Sequence, residues 1–275
     1  MRKRKIKIKW KNIIFILIII TLIVTLIISV FNIVKWKMDS NKTNDEITNI
    51  QEHVDVEEVQ DTENTEIIEP IEEVPKENPY WDYINMNMIN VNFSNLKKIN
   101  SDVVGWLKVN GTNINYPFVQ SSDNKYYLTH SFNKSYNAAG WVFLDYRNNS
   151  TNNKNTIIYA HGRSDKTMFG TLKKVLNNEW LNNQNNYVIR ISTETENSLW
   201  QIFSIYRIPT TSDYLQTNFI NDDEFQEFIN MIISRSSYNF NTNVTYTDNI
   251  LTLSTCYNND DKMVVHAKLI KKETK

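Results

Sequence analysis

The 275-residue chain carries 30 Lys or Arg against 31 Asp or Glu, a formal net charge of −1, and a single cysteine. A near-neutral balance offers no electrostatic footprint for a nucleic acid. One cysteine excludes an internal disulfide and falls far short of a structural zinc set.

Residues 1–12 form a basic tail. Arg2, Lys3, Arg4, Lys5, Lys7, Lys9 and Lys11 give seven positive charges and no acid. Residues 13–34 then run 22 positions without a charge, dominated by Ile, Leu and Val. A hydrocarbon core of about 30 Å needs roughly 20 helical residues, so this run predicts a transmembrane signal anchor. A cleaved signal peptide has a shorter apolar region and a small-residue cleavage site. The basic excess lies before the span, so the positive-inside rule predicts a single pass with the N-terminus in the cytoplasm and the rest outside.

Residues 35–79 change character. Between 39 and 78 there are 14 Asp or Glu against Lys42 and Lys76, with no Phe, Trp or Tyr and only two prolines, Pro70 and Pro75. Such a segment buries too little apolar area to offset its ordering entropy, which predicts a solvated acidic spacer.

Residues 80–275 hold 19 Lys or Arg against 17 Asp or Glu and most of the aromatics, enough for one domain with a sizeable core. Two short helices open it, after Pro79 and after Ser94. Strands are predicted at 104–109, 114–119, 141–144, 156–160, 187–192, 200–206, 244–246, 250–254 and 263–270, with Asn110-Gly111 as a tight turn. A further short helix is expected over 168–176. A long helix starts at Asp222 and Asp223, where acids complement the dipole, and carries Phe225, Phe228, Ile229, Ile232 and Ile233 as a core-facing stripe. Many short strands with polar turns imply a mainly β, closed architecture with accessory helices.

Cys256 closes the run Thr252-Leu253-Ser254-Thr255-Cys256, at the end of one predicted strand and a short polar loop before the next. It is either a nucleophile or an inert core thiol. A nucleophile needs a base. His53 lies in the acidic segment, His130 in a helix or turn, and His266 on the last strand. His161 ends the apolar run Ile157-Ile158-Tyr159-Ala160 and precedes Gly162, so its ring is placed to reach a cleft. No phosphate-cradling Gly-rich loop, H-E-x-x-H pair or 20–50-residue repeat is present, and no metal or cofactor is implied.

Tyr159-Ala160-His161-Gly162, Met168-Phe169-Gly170-Thr171-Leu172 and the Thr252–Cys256 run resemble a sortase. Asp102-Val103-Val104-Gly105-Trp106-Leu107, the 111–117 run ending in Tyr116-Pro117, Phe143-Leu144-Asp145-Tyr146-Arg147 and the helix before the cysteine strand are similar to class B of that family. The resemblance spans roughly residues 80–270. It implies a closed eight-stranded β-barrel with N-terminal helices, acting as a cysteine transpeptidase of Gram-positive bacteria. Its substrates are secreted proteins bearing a C-terminal sorting signal, and its acceptor is a peptidoglycan-precursor or pilin amine. Cys256 matches the nucleophile, which attacks a Thr carbonyl, and His161 the group that protonates the leaving amine. An amine leaving group needs that proton even where a thiol needs no strong base.

The chain departs from the family pattern at one place. The family carries Arg at the start of the strand after the cysteine loop, and here that position is Lys262. An ammonium supplies charge without the planar fork of a guanidinium. Lys262 as the third catalytic member, Arg163 reaching in from the loop after His161, and a sortase-fold binding module with weak or lost activity all stay open. Ser254, Thr255, Tyr257 and Arg163 are candidate substrate contacts, and Asp165 could orient His161. A papain-like peptidase is disfavoured, because its nucleophile opens a helix and precedes its His.

Overall fold

The computed structural model describes residues 10–70, 75–76, 78–149 and 153–275. Most of the basic tail, from Arg2 to Lys9, lies outside the described residues. The chain divides into two compact units, residues 1–42 and 43–275. In the first, α1 (Trp10–His53) carries the charge-free run with its side chains exposed, and it is long and apolar enough to cross a membrane.

In the second unit the end of α1 is followed by β1 (Val56–Val59), β2 (Thr65–Ile67), α2 (Tyr80–Tyr83), β3 (Met88–Val91), α3 (Ser94–Ile99), β4 (Val103–Val109) and β5 (Asn115–Val119). Then come β6 (Phe143–Leu144), β7 (Asn155–Tyr159), α4 (Asn178–Leu181), β8 (Val188–Ser192), β9 (Glu196–Pro209), α5 (Asp222–Ser234), β10 (Ile250–Cys256) and β11 (Asp261–Thr274). Eight strands close on themselves in the order β10-β7-β6-β5-β4-β8-β9-β11, because β11 also pairs with β10. This is the expected mainly β barrel with accessory helices.

Alternation along the strands separates two cores. Leu251 and Leu253 of β10 and Met263, Val265 and Ala267 of β11 face the barrel interior, with Trp106, Ile189 and Leu199. Ile250 and Val264 face the other way, onto Phe225, Phe228, Ile229 and Ile232 of α5. Each such buried side chain contributes about 1.5–3 kcal/mol. Asn221 caps α5 by accepting from the Glu224 N–H at 2.9 Å, and acids fill the first turn.

The acidic segment differs from the expected solvated spacer. Residues 43–70 belong to the compact unit: Ile50 and Val54 are buried, β1 pairs with β3, and β2 pairs with β11. Its carboxylates meet cations that the barrel already presents. The buried Lys271 Nζ donates to Asp61 Oδ1 at 2.6 Å, and Lys108 and Lys272 pair with Glu58 and Glu66 at 3.4 and 3.2 Å. Net charge in the segment therefore overstated its repulsion. Residues 244–246, expected as a strand, run irregularly, with Val244 packed under α5. The helix expected over 168–176 shrinks to a 3₁₀ turn at Leu172–Leu176.

Candidate active site

Two strand pairings build the site. β7 and β10 run parallel with Ser254 opposite Tyr159 as the last registered pair. One step on, Thr255 Oγ1 donates to the Ala160 carbonyl at 2.7 Å. One further step brings Cys256 and His161 to the ends of adjacent strands, which lie about 4.8 Å apart. Gly162 allows this approach: a Cβ there would stand 2.1 Å from the Cys256 carbonyl oxygen. On the other side β10 and β11 form an antiparallel hairpin in which Cys256 lies directly opposite Lys262. Lys262 Nζ donates to Cys256 Sγ at 3.1 Å, and the thiol is exposed.

His161 is half-buried. Its Nε2 meets the Leu128 carbonyl at 2.8 Å. A carbonyl only accepts, so Nε2 carries the proton and Nδ1 is the nitrogen left for proton exchange. Leu128 closes the 3₁₀ turn Tyr126–Leu128, and Trp141 N–H donates to the preceding carbonyl, of Tyr127, at 2.9 Å. Gly140, at φ +62°, packs against the Leu128 carbonyl, where a Cβ would come within 2.9 Å of the oxygen.

The remaining candidates fall in different places. Ser254 and Thr255 are buried on opposite faces of β10. The Ser254 hydroxyl shares a 3.0 Å hydrogen bond with Tyr214 OH on the Cys256 face, whereas Thr255 is a strap between strands. Tyr257 is half-buried against the barrel cluster, between Arg207 at 4.4 Å and Lys173 at 5.1 Å from its ring. Arg163 is largely buried, its side chain 9% exposed, and engages Asp165 through Nε and Nη2, at 3.0 and 2.5 Å from Oδ2. Asp165 also accepts from Thr167 Oγ1 at 2.6 Å. The Arg163 guanidinium is thus committed to a loop carboxylate, and Asp165 to holding that loop.

The other three histidines lie elsewhere. His53 is exposed, with Nδ1 on the Asn49 carbonyl. His130 stacks on Tyr126, ring centroids 4.0 Å apart, with Nδ1 2.8 Å from that residue's carbonyl. His266 is fully buried beneath α5. Among the described residues no three His, Cys, Asp or Glu side chains converge to hold a metal ion.

Two supports were not legible in the sequence. Tyr214, in the turn Asp213–Leu215, sits beside Ser254; burial raises its pKa, and the hydrogen bond with Ser254 offsets only part of that rise. Asp145 is fully buried and accepts from Arg147 through its backbone N–H, Nε and Nη2, from Tyr159 OH at 2.8 Å and from Asn124 at 2.9 Å. Burial pushes its carboxyl up, but the Arg147 guanidinium and these hydrogen bonds outweigh that and hold it below the ordinary range. Arg147 also donates to the Leu215 carbonyl at 2.9 Å, tying the end of β7 to the Tyr214 turn. Only the Phe143–Arg147 motif hinted at this brace.

A closed barrel whose paired strand ends carry a thiol, an imidazole and a cation is a thiol-dependent acyl-transfer scaffold. Residues 107–270 match the sortase domain. The chain is 39% identical over 184 residues to sortase B of Staphylococcus aureus, covering 65% of this chain and 75% of that protein. It is similar to the crystal structure of sortase B from B. anthracis with a TM-score of 0.67 at 33% identity, covering 85% of this chain and 99% of that one. A Staphylococcus aureus sortase B–substrate complex gives 0.61 at 38% identity, covering 65% and 84%. The chain belongs to the sortase family of cysteine transpeptidases, and its relatives are of class B.

Proposed function

We propose that this chain is a membrane-anchored transpeptidase that cleaves a C-terminal sorting signal of secreted proteins and joins the acyl group to a cell-wall or pilin amine. The observation that carries the proposal is the 3.1 Å contact between Lys262 Nζ and Cys256 Sγ, beside the strand end that bears His161. The Cys256 thiolate attacks the Thr carbonyl. Lys262 faces the attacked centre and stabilises the oxyanion, the role a preorganised donor plays. His161, protonated at Nδ1, gives its proton to the leaving amine and the thioester forms. The same nitrogen then takes a proton from the incoming amine, which displaces the thiolate. The buried Ser254, hydrogen-bonded to the buried Tyr214, supports the Cys256 face of β10 from beneath. The basic residues ahead of the apolar run favour a single pass with the N-terminus in the cytoplasm and the barrel outside.

A second reading, a binding module on the same fold, draws on one observation: Lys262 stands where the family pattern has Arg. Mass spectrometry of the detergent-solubilised full chain, incubated with a panel of sorting-signal peptides, separates the two. The proposal expects a thioester adduct on Cys256 that an added amine discharges, and none with Cys256→Ala. Peptide binding without any adduct would establish the module instead.

A further inference from the structure

We infer that Lys262 is an internal acyl acceptor: the thioester on Cys256 passes to Lys262 Nζ as a stable amide when no outside amine arrives. The inference rests on the transpeptidase reading above. A guanidinium at this position is always charged and delocalised, and has no free amine to offer. A lysine is a primary amine, the class of nucleophile that discharges the thioester in the second half of the proposed reaction, and lysine amines attack carbonyl carbons readily in other enzymes. Here that amine lies 3.1 Å from the sulfur that will carry the acyl group. Their two residues are a directly opposed cross-strand pair, so the backbone holds them together.

Acylation consumes the thiolate to which the ammonium donates, and sets the new carbonyl carbon one bond from Sγ. Reacting atoms held at about 3–3.5 Å gain effective concentrations that no dissolved amine matches. The step balances without an oxidant or co-reactant. The Lys262 ammonium first gives one proton to His161 Nδ1, left neutral after protonating the leaving amine; then the C–S bond of the thioester breaks, a C–N bond forms to Nζ, and the second proton lost from nitrogen ends on the expelled sulfur. The product has a free Cys256 thiol, an amide at Lys262 in place of the cation, and an acyl peptide lying in its own groove. Such a chain is blocked, so the transfer limits turnover wherever acceptor amine is scarce.

The test uses the detergent-solubilised full chain and an N-acetyl-threonine thioester, which acylates thiols by exchange without needing a sorting motif. After acylation the sample is split and half is treated with hydroxylamine, which releases thioesters and spares amides. Intact mass and peptide sequencing then locate the label. The expected result is a hydroxylamine-resistant acetyl-threonyl group on Lys262 with Cys256 free. Cys256→Ala and Lys262→Arg should each reduce that resistant label to background. Sequencing of the wild-type chain alone decides the point if a variant fails to fold. Complete release by hydroxylamine, with Lys262 unmodified, would overturn the inference and leave the transpeptidase reading standing. No label on Cys256 from this donor or from any sorting peptide would remove the nucleophile assignment, and the inference with it.

Discussion

His266 gives the fold a measurable sensitivity to acid. It is fully buried under α5, and burial, helped by the positive charge of Arg235, pushes its pKa down to about 3 from 6.5. Its hydrogen bonds fix a neutral ring. Asn155 Nδ2 donates to the Gln216 carbonyl at 2.9 Å, so Asn155 Oδ1 must accept the Thr252 hydroxyl proton at 2.7 Å. Thr252 Oγ1 can then only accept from His266 Nδ1, at 2.9 Å, which leaves Nε2 to accept from Tyr206 OH at 2.8 Å. Arg235, held by Asp213 at 2.5 Å, stands beyond Tyr206 and disfavours a second positive charge. Below pH 6.5 the unfolded chain takes up a proton that the folded chain refuses. The contribution of this residue is therefore complete above pH 6.5 and is lost as pH falls toward 3. Each unit of the window is worth about 1.4 kcal/mol, so roughly 2 kcal/mol disappears between pH 6.5 and pH 5. Urea unfolding followed by tryptophan fluorescence, at pH 7 and pH 5, should show the wild type losing about that much more than His266→Gln, since carboxylate titrations are common to both proteins. Parallel pH dependence in the two would refute the buried-neutral assignment.

Three further outcomes can be checked. Lys262→Ala should slow acyl transfer by about 10²–10³, the usual loss of one oxyanion donor, while Lys262→Arg should keep or raise the rate; steady-state transpeptidation with a sorting peptide and an excess of amine reads both. Arg163→Ala should act on stability first, because it removes the guanidinium partner of the largely buried Asp165 carboxylate at a cost of about 1–3 kcal/mol, seen as a lower Tm and partly recovered by a second change, Asp165→Asn. An unchanged Tm with lost acylation would return Arg163 to the chemistry. A chain starting at residue 80 should melt below one starting at residue 43, since it strips β1 and β2 and leaves the buried Lys271 without Asp61; equal melting temperatures would restore the acidic segment as a mere tether.

What the sequence disclosed was what local pattern carries. The 22-residue apolar run gave α1, and the Phe225 to Ile232 spacing gave the buried face of α5. Alternation gave most of the barrel strands, and the motifs around His161 and Cys256 marked the candidate residues that the strand pairings bring together. What stayed hidden depends on partners far along the chain. Acid count could not anticipate that Asp61 meets Lys271, more than two hundred residues on. Nor could spacing alone say that Thr255 straps Ala160 while Ser254 meets Tyr214, because that follows from which neighbour each face of β10 acquires. Arg163 was a candidate cation by proximity to His161, yet the loop supplies Asp165 two residues later, and a bidentate carboxylate claims a guanidinium more strongly than an open cleft does.

Register is what turns separate residues into one site. Cys256 ends β10, Lys262 lies in β11 and His161 stands two residues beyond the end of β7, and β10 pairs directly with both β7 and β11. Side chains alternate faces with a period of two, so a slip of one residue between β10 and β11 would point Lys262 and Cys256 to opposite sides. The register is held by apolar faces on both sides of the sheet, Leu253 and Val265 within the barrel and Ile250 and Val264 under α5. The buried chain from Gln216 through Asn155, Thr252 and His266 to Tyr206 adds a directional lock across β7, β10, β11 and β9. A change in that chain should therefore reach the chemistry without touching it, by loosening the strand pair that sets Nζ beside Sγ.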